Sequence, residues 1–487
     1  MPDDHAIPDL LDQGAKALVA GDLTYAIDRY ERALAIDPAL PDAWFNLAWA
    51  RRAARQFDAA LTAYAEAVGH GLTGAEEAFV NRAAILSDHL FRRDDAVREL
   101  ETALERNPGF VPAWLSLGVV QEDKGDAAAA RAAYERVLAL APGHGRAVAR
   151  LAALDVVAGE AEAAMARVER QLPIAGSSAD RSEMLFALGA AQDATGRYRE
   201  AFRAITQANR IAAALTPRRY DRAAMERLVD RQIATFPAAP RAATRAPNGA
   251  APIFICGMFR SGSTLFERLL ASDPRVTAGG ELEFIPALVQ QWPDYPEAVP
   301  ALTAARIDAL RGDYLAALPA GGIVTDKRCD NVFHIGLILT LFPDARIVHT
   351  ERHPLDTLLS VYFLPFGDGV TYDTNLGDAA HYYAQYRRMI THWRAVYPDA
   401  IVDADYDRLV RDPERELARV FAALGLDNEG LDLDHPSEDT TIRTASGWQA
   451  RQPLHARSSG RWRHYRDELA AVTSQLAAAG IDPGGDP

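Results

Sequence analysis

The sequence predicts two domains of different class: an all-α solenoid of repeated helix pairs, then a three-layer α/β domain built on a parallel sheet. Three observations carry this. Small and aromatic residues recur in sets through the first part of the chain, at a step of 34 residues from the first set to the second and from the third to the fourth. From Pro252 onward, short β-rich runs (IFIC, GIVTD, ARIVHT, AIVDADY) alternate with helical periods, the pattern of a parallel sheet covered on both faces. Between the two lies 237-PAAPRAATRAPNGAAP-252, with the proline and small-residue content of a linker. At 487 residues the chain exceeds one ordinary core. The expected division is 1–236 for the solenoid and its closing helix, 237–251 for the linker, and 252–487 for the α/β domain.

In the first domain, Ala26, Tyr30, Ala33 and Pro38 form a set that Ala96, Leu100, Ala103 and Pro108 repeat. Ala130, Tyr134, Val137 and Pro142 repeat it again, and Ala60, Tyr64 and Ala67 supply a further copy. The helices before them carry Trp44, Leu47, Ala48 and Trp114, Leu117, Gly118. A large residue wedged against small ones lets paired helices pack closely, and this pattern resembles the tetratricopeptide repeat. Leu185, Leu188, Gly189 and Ala201, Ile205, Ala208 mark a degenerate later repeat, residues 147–172 another, and 218–236 a closing helix. Five or six repeats would stack into a solenoid with a concave face. That face could take an acceptor protein or peptide, pack on the second domain, or form a homodimer; the residues leave these open.

The second domain opens with 253-IFICGMFRSGSTLFERLLASDPRV-276, a buried strand, a glycine-bearing loop and an amphipathic helix. Such a loop converges backbone N–H groups on one point, where the helix dipole favours an anion. The spacing is nearly that of a nucleotide P-loop, G-x-x-x-x-G-K-[ST], but Ser263 stands where the lysine belongs. A kinase would lose the cation that reaches its β/γ-phosphates. Here the charge comes from Arg260, which suits a phosphosulfate.

The loop FRSGST resembles the 5′-phosphosulfate loop of sulfotransferases that use 3′-phosphoadenosine 5′-phosphosulfate (PAPS). The stretch 346-RIVHTERHPLDTLLSVYF-363 resembles that family's 3′-phosphate segment. The resemblance implies that Arg260, Ser261, Gly262, Ser263 and Thr264 hold the phosphosulfate, and that Arg352 and Ser360 hold the 3′-phosphate. The segment 277-TAGGELEFIP-286 is similar to the one bearing the catalytic glutamate of protein-tyrosine sulfotransferases and bacterial repeat-bearing sulfotransferases. It implies Glu281 as the base, with Glu283 as the fallback. In 323-IVTDKRCDN-331, Lys327 matches the lysine that contacts the oxygen bridging sulfur and 5′-phosphate, although the family's following proline is absent. The arginine-rich stretch 443–469 resembles the C-terminal segment of bacterial repeat-bearing members. It implies Ser446 and Arg461 at the cofactor, with Gln449, Arg451 and Trp462 as weaker candidates. His353, beside Pro354, reads as a turn residue. The implied enzyme is a PAPS-dependent sulfotransferase that needs no metal and acts on a hydroxyl, with a protein tyrosine favoured because the solenoid offers a polypeptide face. A carbohydrate, lipid or small-molecule hydroxyl is the alternative acceptor, and a non-catalytic repeat scaffold the alternative class.

Composition bounds the rest. Hydrophobic content of 49% and charged content of 24% are those of a soluble globular protein. A formal charge of −15 disfavours non-specific nucleic-acid binding, so an anionic donor needs a local cationic site. Two cysteines, Cys256 and Cys329, exclude a disulfide scaffold. The segment MPDDHAIPDL has neither the basic nor the apolar region of a signal peptide, and no run approaches the ~20 apolar residues of a membrane span. The expected location is the cytoplasm.

Overall fold

The 34-residue period becomes helix pairs in a computed structural model that describes residues 6–237, 251–319, 321–427 and 456–484. The chain divides into two compact units, Met1–Thr195 and Gly196–Pro487.

In the first unit five helix pairs follow in order, from Ala6–Ala20 with Leu23–Ile36 to Gly145–Val157 with Ala161–Gln171, and helix Ser178–Ala194 comes after them. The repeated positions are the packing seams. Ala26, Ala60, Ala96 and Ala130 are fully buried, as are Tyr64, Leu100 and Tyr134. A Cβ added at Gly118 would stand 2.3 Å from Tyr134 Cε1, and one at Gly14 would stand 2.9 Å from Tyr30 Cζ. The aromatic ring of the second helix thus occupies the space that the small residue of the first leaves. Trp44 Nε1 donates to the Pro38 carbonyl and Trp114 Nε1 to the Pro108 carbonyl, each at 2.9 Å, so the turn between repeats is fixed the same way twice.

The second unit is built on five parallel strands: β1 (Ile253–Gly257), β2 (Val276–Ala278), β3 (Ile323–Asp326), β4 (Arg346–Glu351) and β5 (Ile401–Asp405). Their order is β2-β3-β1-β4-β5, with β1 central and buried along its whole length. After β1 the chain moves toward β2; after β4 it moves toward β5. The carboxyl ends of β1 and β4 therefore face a crevice where the connections diverge, the usual place for a ligand in an open α/β sheet. The loops bearing Arg260 and Arg352 leave the sheet at these two ends.

Helices Tyr198–Leu215 and Arg222–Thr235, expected as the last degenerate repeat and the closing helix, pack within the second unit rather than the first. Asn209 Nδ2 donates to the Tyr362 carbonyl at 2.8 Å, and the Tyr362 hydroxyl donates to Thr206 Oγ1 at 3.1 Å. Phe236 meets Trp393 edge-on at 5.5 Å. The division thus falls near residue 195 rather than 236. The physical reason is that the same amphipathic stripe can cover an α/β domain as well as a neighbouring repeat.

Candidate active site

The loop after β1 is shaped by its own side chains. Ser261 Oγ donates to the Met258 carbonyl at 2.6 Å and lies 2.7 Å from Thr350 Oγ1 on β4, so this hydroxyl braces the loop against β4. Gly262 caps helix Ser263–Leu270 with φ 98°, a left-handed conformation that suits glycine. A Cβ there would stand 2.7 Å from the Tyr406 ring. The N-terminus of that helix, at Ser263 and Thr264, presents backbone N–H groups and the positive end of the helix dipole, the geometry that favours an anion.

Arg260 is also left-handed, at φ 73°, which costs about 1–2 kcal/mol for a residue with a Cβ. Two of its contacts join it to β4 and the helix that follows. Its Nε donates to Ser360 Oγ at 3.0 Å, and its carbonyl accepts from Arg352 Nη1 at 3.2 Å. Arg352 also donates to the Ser458 carbonyl and lies 5.0 Å over the Tyr406 ring. Arg461 lies 4.5 Å over the Phe363 ring. Burial, with the like charges of Arg352 and Arg461, pulls the Arg260 pKa down to about 10. Three guanidinium groups from three separate segments therefore share one field. Arg352 Nε and Trp462 Nε1 are buried without a partner among the described residues. Part-buried cations and orphaned N–H donors gathered near the ends of β1 and β4 are the donor set an anion needs.

The basic C-terminal stretch is clamped onto this region. The N–H groups of Gly460 and Trp462 donate to Asp356 at 2.6 and 2.7 Å, and Ser459 Oγ donates to Asp407 at 2.6 Å. Trp462 stacks on His353 with ring centroids 4.9 Å apart and planes 4° apart, which makes His353 a packing surface. Ser446, Gln449 and Arg451 lie outside the described residues.

Beside this anion region stands a base paired with an acid. Lys327 Nζ lies 2.6 Å from Glu281 Oε1, with the lysine buried and the glutamate exposed. Burial, the largest influence, works against the ammonium, but the carboxylates of Glu281 and Glu267 outweigh it and raise the Lys327 pKa above the ordinary lysine value. Cys329, where the family has proline two residues after this lysine, places its Sγ 3.3 Å from Ser263 Oγ. Burial pushes that thiol up to about 12, so it is an inert spacer between the lysine strand and the loop. Glu283, the fallback base, is instead ion-paired with Arg328, which also binds Asp330 at 2.9 Å.

The structure thus brings Arg260, Ser360, Arg352 and Arg461 together, and separately Glu281 with Lys327; Ser263 and Cys329 join the two groups. Sequence reasoning missed four contributors. Tyr406 packs on Gly262 and under Arg352; Asp356 and Asp407 hold the C-terminal stretch; Glu267 is a buried carboxylate on the loop helix. The aspartates could have been flagged within RHPLD and DADYD, where carboxylates beside β-strand ends invite backbone N–H donors.

This is a repeat protein joined to a sulfotransferase-type domain. Residues 252–430 match the sulfotransferase family, and residues 20–51, 92–145 and 121–185 match tetratricopeptide repeat families. An uncharacterized protein of Aquifex aeolicus (strain VF5) is 31% identical over 245 residues, covering 46% of this chain and 32% of that relative. The chain therefore spans about a third of that relative's length. Among solved structures, a MamA protein is 20% identical over 40% of this chain and 95% of its own, with a TM-score of 0.31. The pilF protein of Pseudomonas aeruginosa is 20% identical over 43% of this chain and 92% of its own, with a TM-score of 0.35. Among the described residues no helix is long and apolar enough to cross a membrane.

Proposed function

We propose that this chain transfers the sulfuryl group of PAPS to an acceptor hydroxyl, with a protein tyrosine as the favoured acceptor. The observation that carries the proposal is the joint one: three mutually repelling guanidiniums converge on the loop after β1, and a carboxylate–ammonium pair stands beside the same loop. Arg352, with Ser360 close by, takes the 3′-phosphate. Arg260 and the N–H groups of Ser263 and Thr264 take the phosphosulfate, and Arg461 adds charge to both. The acceptor oxygen forms a bond to sulfur as the bond from sulfur to the bridging oxygen breaks. Glu281 receives the acceptor's proton, and the Lys327 ammonium faces the bridging oxygen, whose charge develops only in the transition state. The product 3′-phosphoadenosine 5′-phosphate leaves with that charge. Tyrosine is favoured over sugar or lipid hydroxyls because tetratricopeptide repeats commonly bind polypeptides.

The test is incubation with PAPS and parallel panels of tyrosine peptides, glycans and phenols, read by mass spectrometry. Addition of one sulfuryl group that disappears in Glu281→Gln supports the reading, and the panel names the acceptor. No transfer to water or to any panel member, with no binding of 3′-phosphoadenosine 5′-phosphate, would sink it.

A further inference from the structure

Glu267 is a buried carboxyl that the mechanism above leaves idle; burial raises its pKa, and the Lys327 charge is the first influence that opposes this. It sits one helical turn after Ser263, on the helix that begins at the donor loop, and is 6% exposed. Its Oε1 accepts from the Gly280 N–H at 3.0 Å and from Thr325 Oγ1 at 2.7 Å. Thr325 Oγ1 in turn accepts from the Gly279 N–H at 3.2 Å. The Gly279–Gly280 turn has little freedom to sit elsewhere. A Cβ at Gly279 would lie 2.2 Å from the Thr325 carbonyl, and Gly280 has φ 71°. The next residue is Glu281. On its other side the Gly280 carbonyl accepts from the Lys327 N–H at 2.8 Å. One carboxylate on the donor-loop helix therefore grips the turn from which both Glu281 and Lys327 are hung.

We propose that Glu267 is the positioning residue that fixes the Glu281–Lys327 pair against the donor loop, and that it remains the ammonium's counter-charge when Glu281 takes up the acceptor's proton. This deepens the function proposed above and rests on it for the roles of Glu281 and Lys327. The physical need is plain. Lys327 is buried, and a protonated Glu281 no longer balances it. A buried ammonium without a carboxylate would lose its proton to relieve desolvation, at the moment the leaving oxygen requires the charge. Glu267 makes no contact with the reacting atoms in this scheme; it acts through the turn and through Lys327.

The test exploits the chain's three lysines, Lys16, Lys124 and Lys327. Protein labelled with [13C]lysine gives three Cε signals, and Lys327→Arg assigns the one of interest. The titratable groups that act on Lys327 are Glu281 on the turn after β2, Glu267 on the loop helix and the Cys329 thiol on its own segment, which is neutral. Glu267→Gln keeps an acceptor oxygen for Gly280 and Thr325 but removes the charge. The Lys327 pKa should then fall by about one unit, the scale of a nearby charge. The alkaline limb of kcat should move down with it, kcat should fall at least tenfold, and the affinity for 3′-phosphoadenosine 5′-phosphate should stay within threefold. Thr325→Val, which cuts the hydroxyl contact and leaves the charge, should lower kcat without moving that limb. An unmoved Lys327 titration in Glu267→Gln overturns the proposal, as does donor-product affinity that falls in parallel with kcat. The titration needs no donor, so it decides this point even if PAPS proves not to be the substrate.

Discussion

Arg352→Ala should weaken binding of 3′-phosphoadenosine 5′-phosphate by about 30-fold and leave ADP nearly untouched. Arg352 is half-buried and fixed from two sides, by the Arg260 and Ser458 carbonyls, so little side-chain entropy remains to be lost on binding. A charge-assisted hydrogen bond from such a donor contributes about 1.5–3 kcal/mol, or roughly 10- to 150-fold in affinity. Arg260, with its pKa near 10, stays charged in the variant and keeps its own contact. The expected value is the middle of the range. Isothermal titration calorimetry on wild type, Arg352→Ala and Arg352→Lys measures it, with thermal melting as the check on folding. The lysine variant keeps the charge but not the fork, and should fall between the other two. ADP carries no 3′-phosphate and should bind weakly to all three. An affinity within threefold of wild type in Arg352→Ala, or ADP binding as tightly as the bisphosphate, would refute the assignment of this arginine to the 3′-phosphate.

Lys327→Ala should reduce kcat by about 10²–10³, the usual loss for one donor to a developing oxyanion, while calorimetric affinity for the product nucleotide changes less than about threefold. Burial raises the Asp326 pKa from 3.8 to about 7, so the folded state binds a proton more tightly than the unfolded one, and wild-type stability falls as pH rises across that window. Asp326→Asn removes this dependence, and the difference in melting temperature, variant minus wild type, should move in the variant's favour between pH 5 and pH 8. A Cβ at Gly118 would strike Tyr134 at 2.3 Å inside a closed seam. The overpacking cost of about 1–3 kcal/mol exceeds the gain of about 1 kcal/mol from replacing a helical glycine, so Gly118→Ala should lower stability in urea melts.

What was legible in the sequence was local. The donor-loop spacing from Gly257 to Thr264, and the eight-residue step from Arg352 to Ser360, each lie within one strand–turn–helix unit, so their order along the chain already sets their geometry. The solenoid was legible because its packing repeats at a fixed step. The less visible features depend on pairings far apart in sequence. Glu267 lies in LFERLL, where a charged pair on an amphipathic helix suggests a solvent face, yet both Glu267 and Arg268 are buried. Its partners Gly280 and Thr325 are brought to it only by the sheet order. Strand β2 has three residues, too short for a period to show. The compact units divide near 195, ahead of the expected 236, because helix Tyr198–Leu215 carries the stripe of a repeat while its contacts, through Thr206 and Asn209, go to Tyr362.

For a chain with a net charge of −15, the proposed polyanionic donor would depend on how different arginines are treated. Outside the cleft they are discharged locally: Arg328 on Glu283 and Asp330, Arg394 on Asp403, Arg419 on Glu416. Within it, Arg260 donates to the Ser360 hydroxyl and Arg352 to two carbonyls. These neutral acceptors orient the two guanidiniums. The carboxylates nearest the C-terminal stretch, Asp356 and Asp407, are spent on backbone N–H groups and a serine hydroxyl instead. Burial first, and then the like charges of Arg352 and Arg461, lower the Arg260 pKa, so this cluster is costly to assemble. A ligand with phosphates at both ends would relieve that repulsion at two points at once, so the affinity of the cleft lies in charge already assembled and desolvated rather than in contacts made anew.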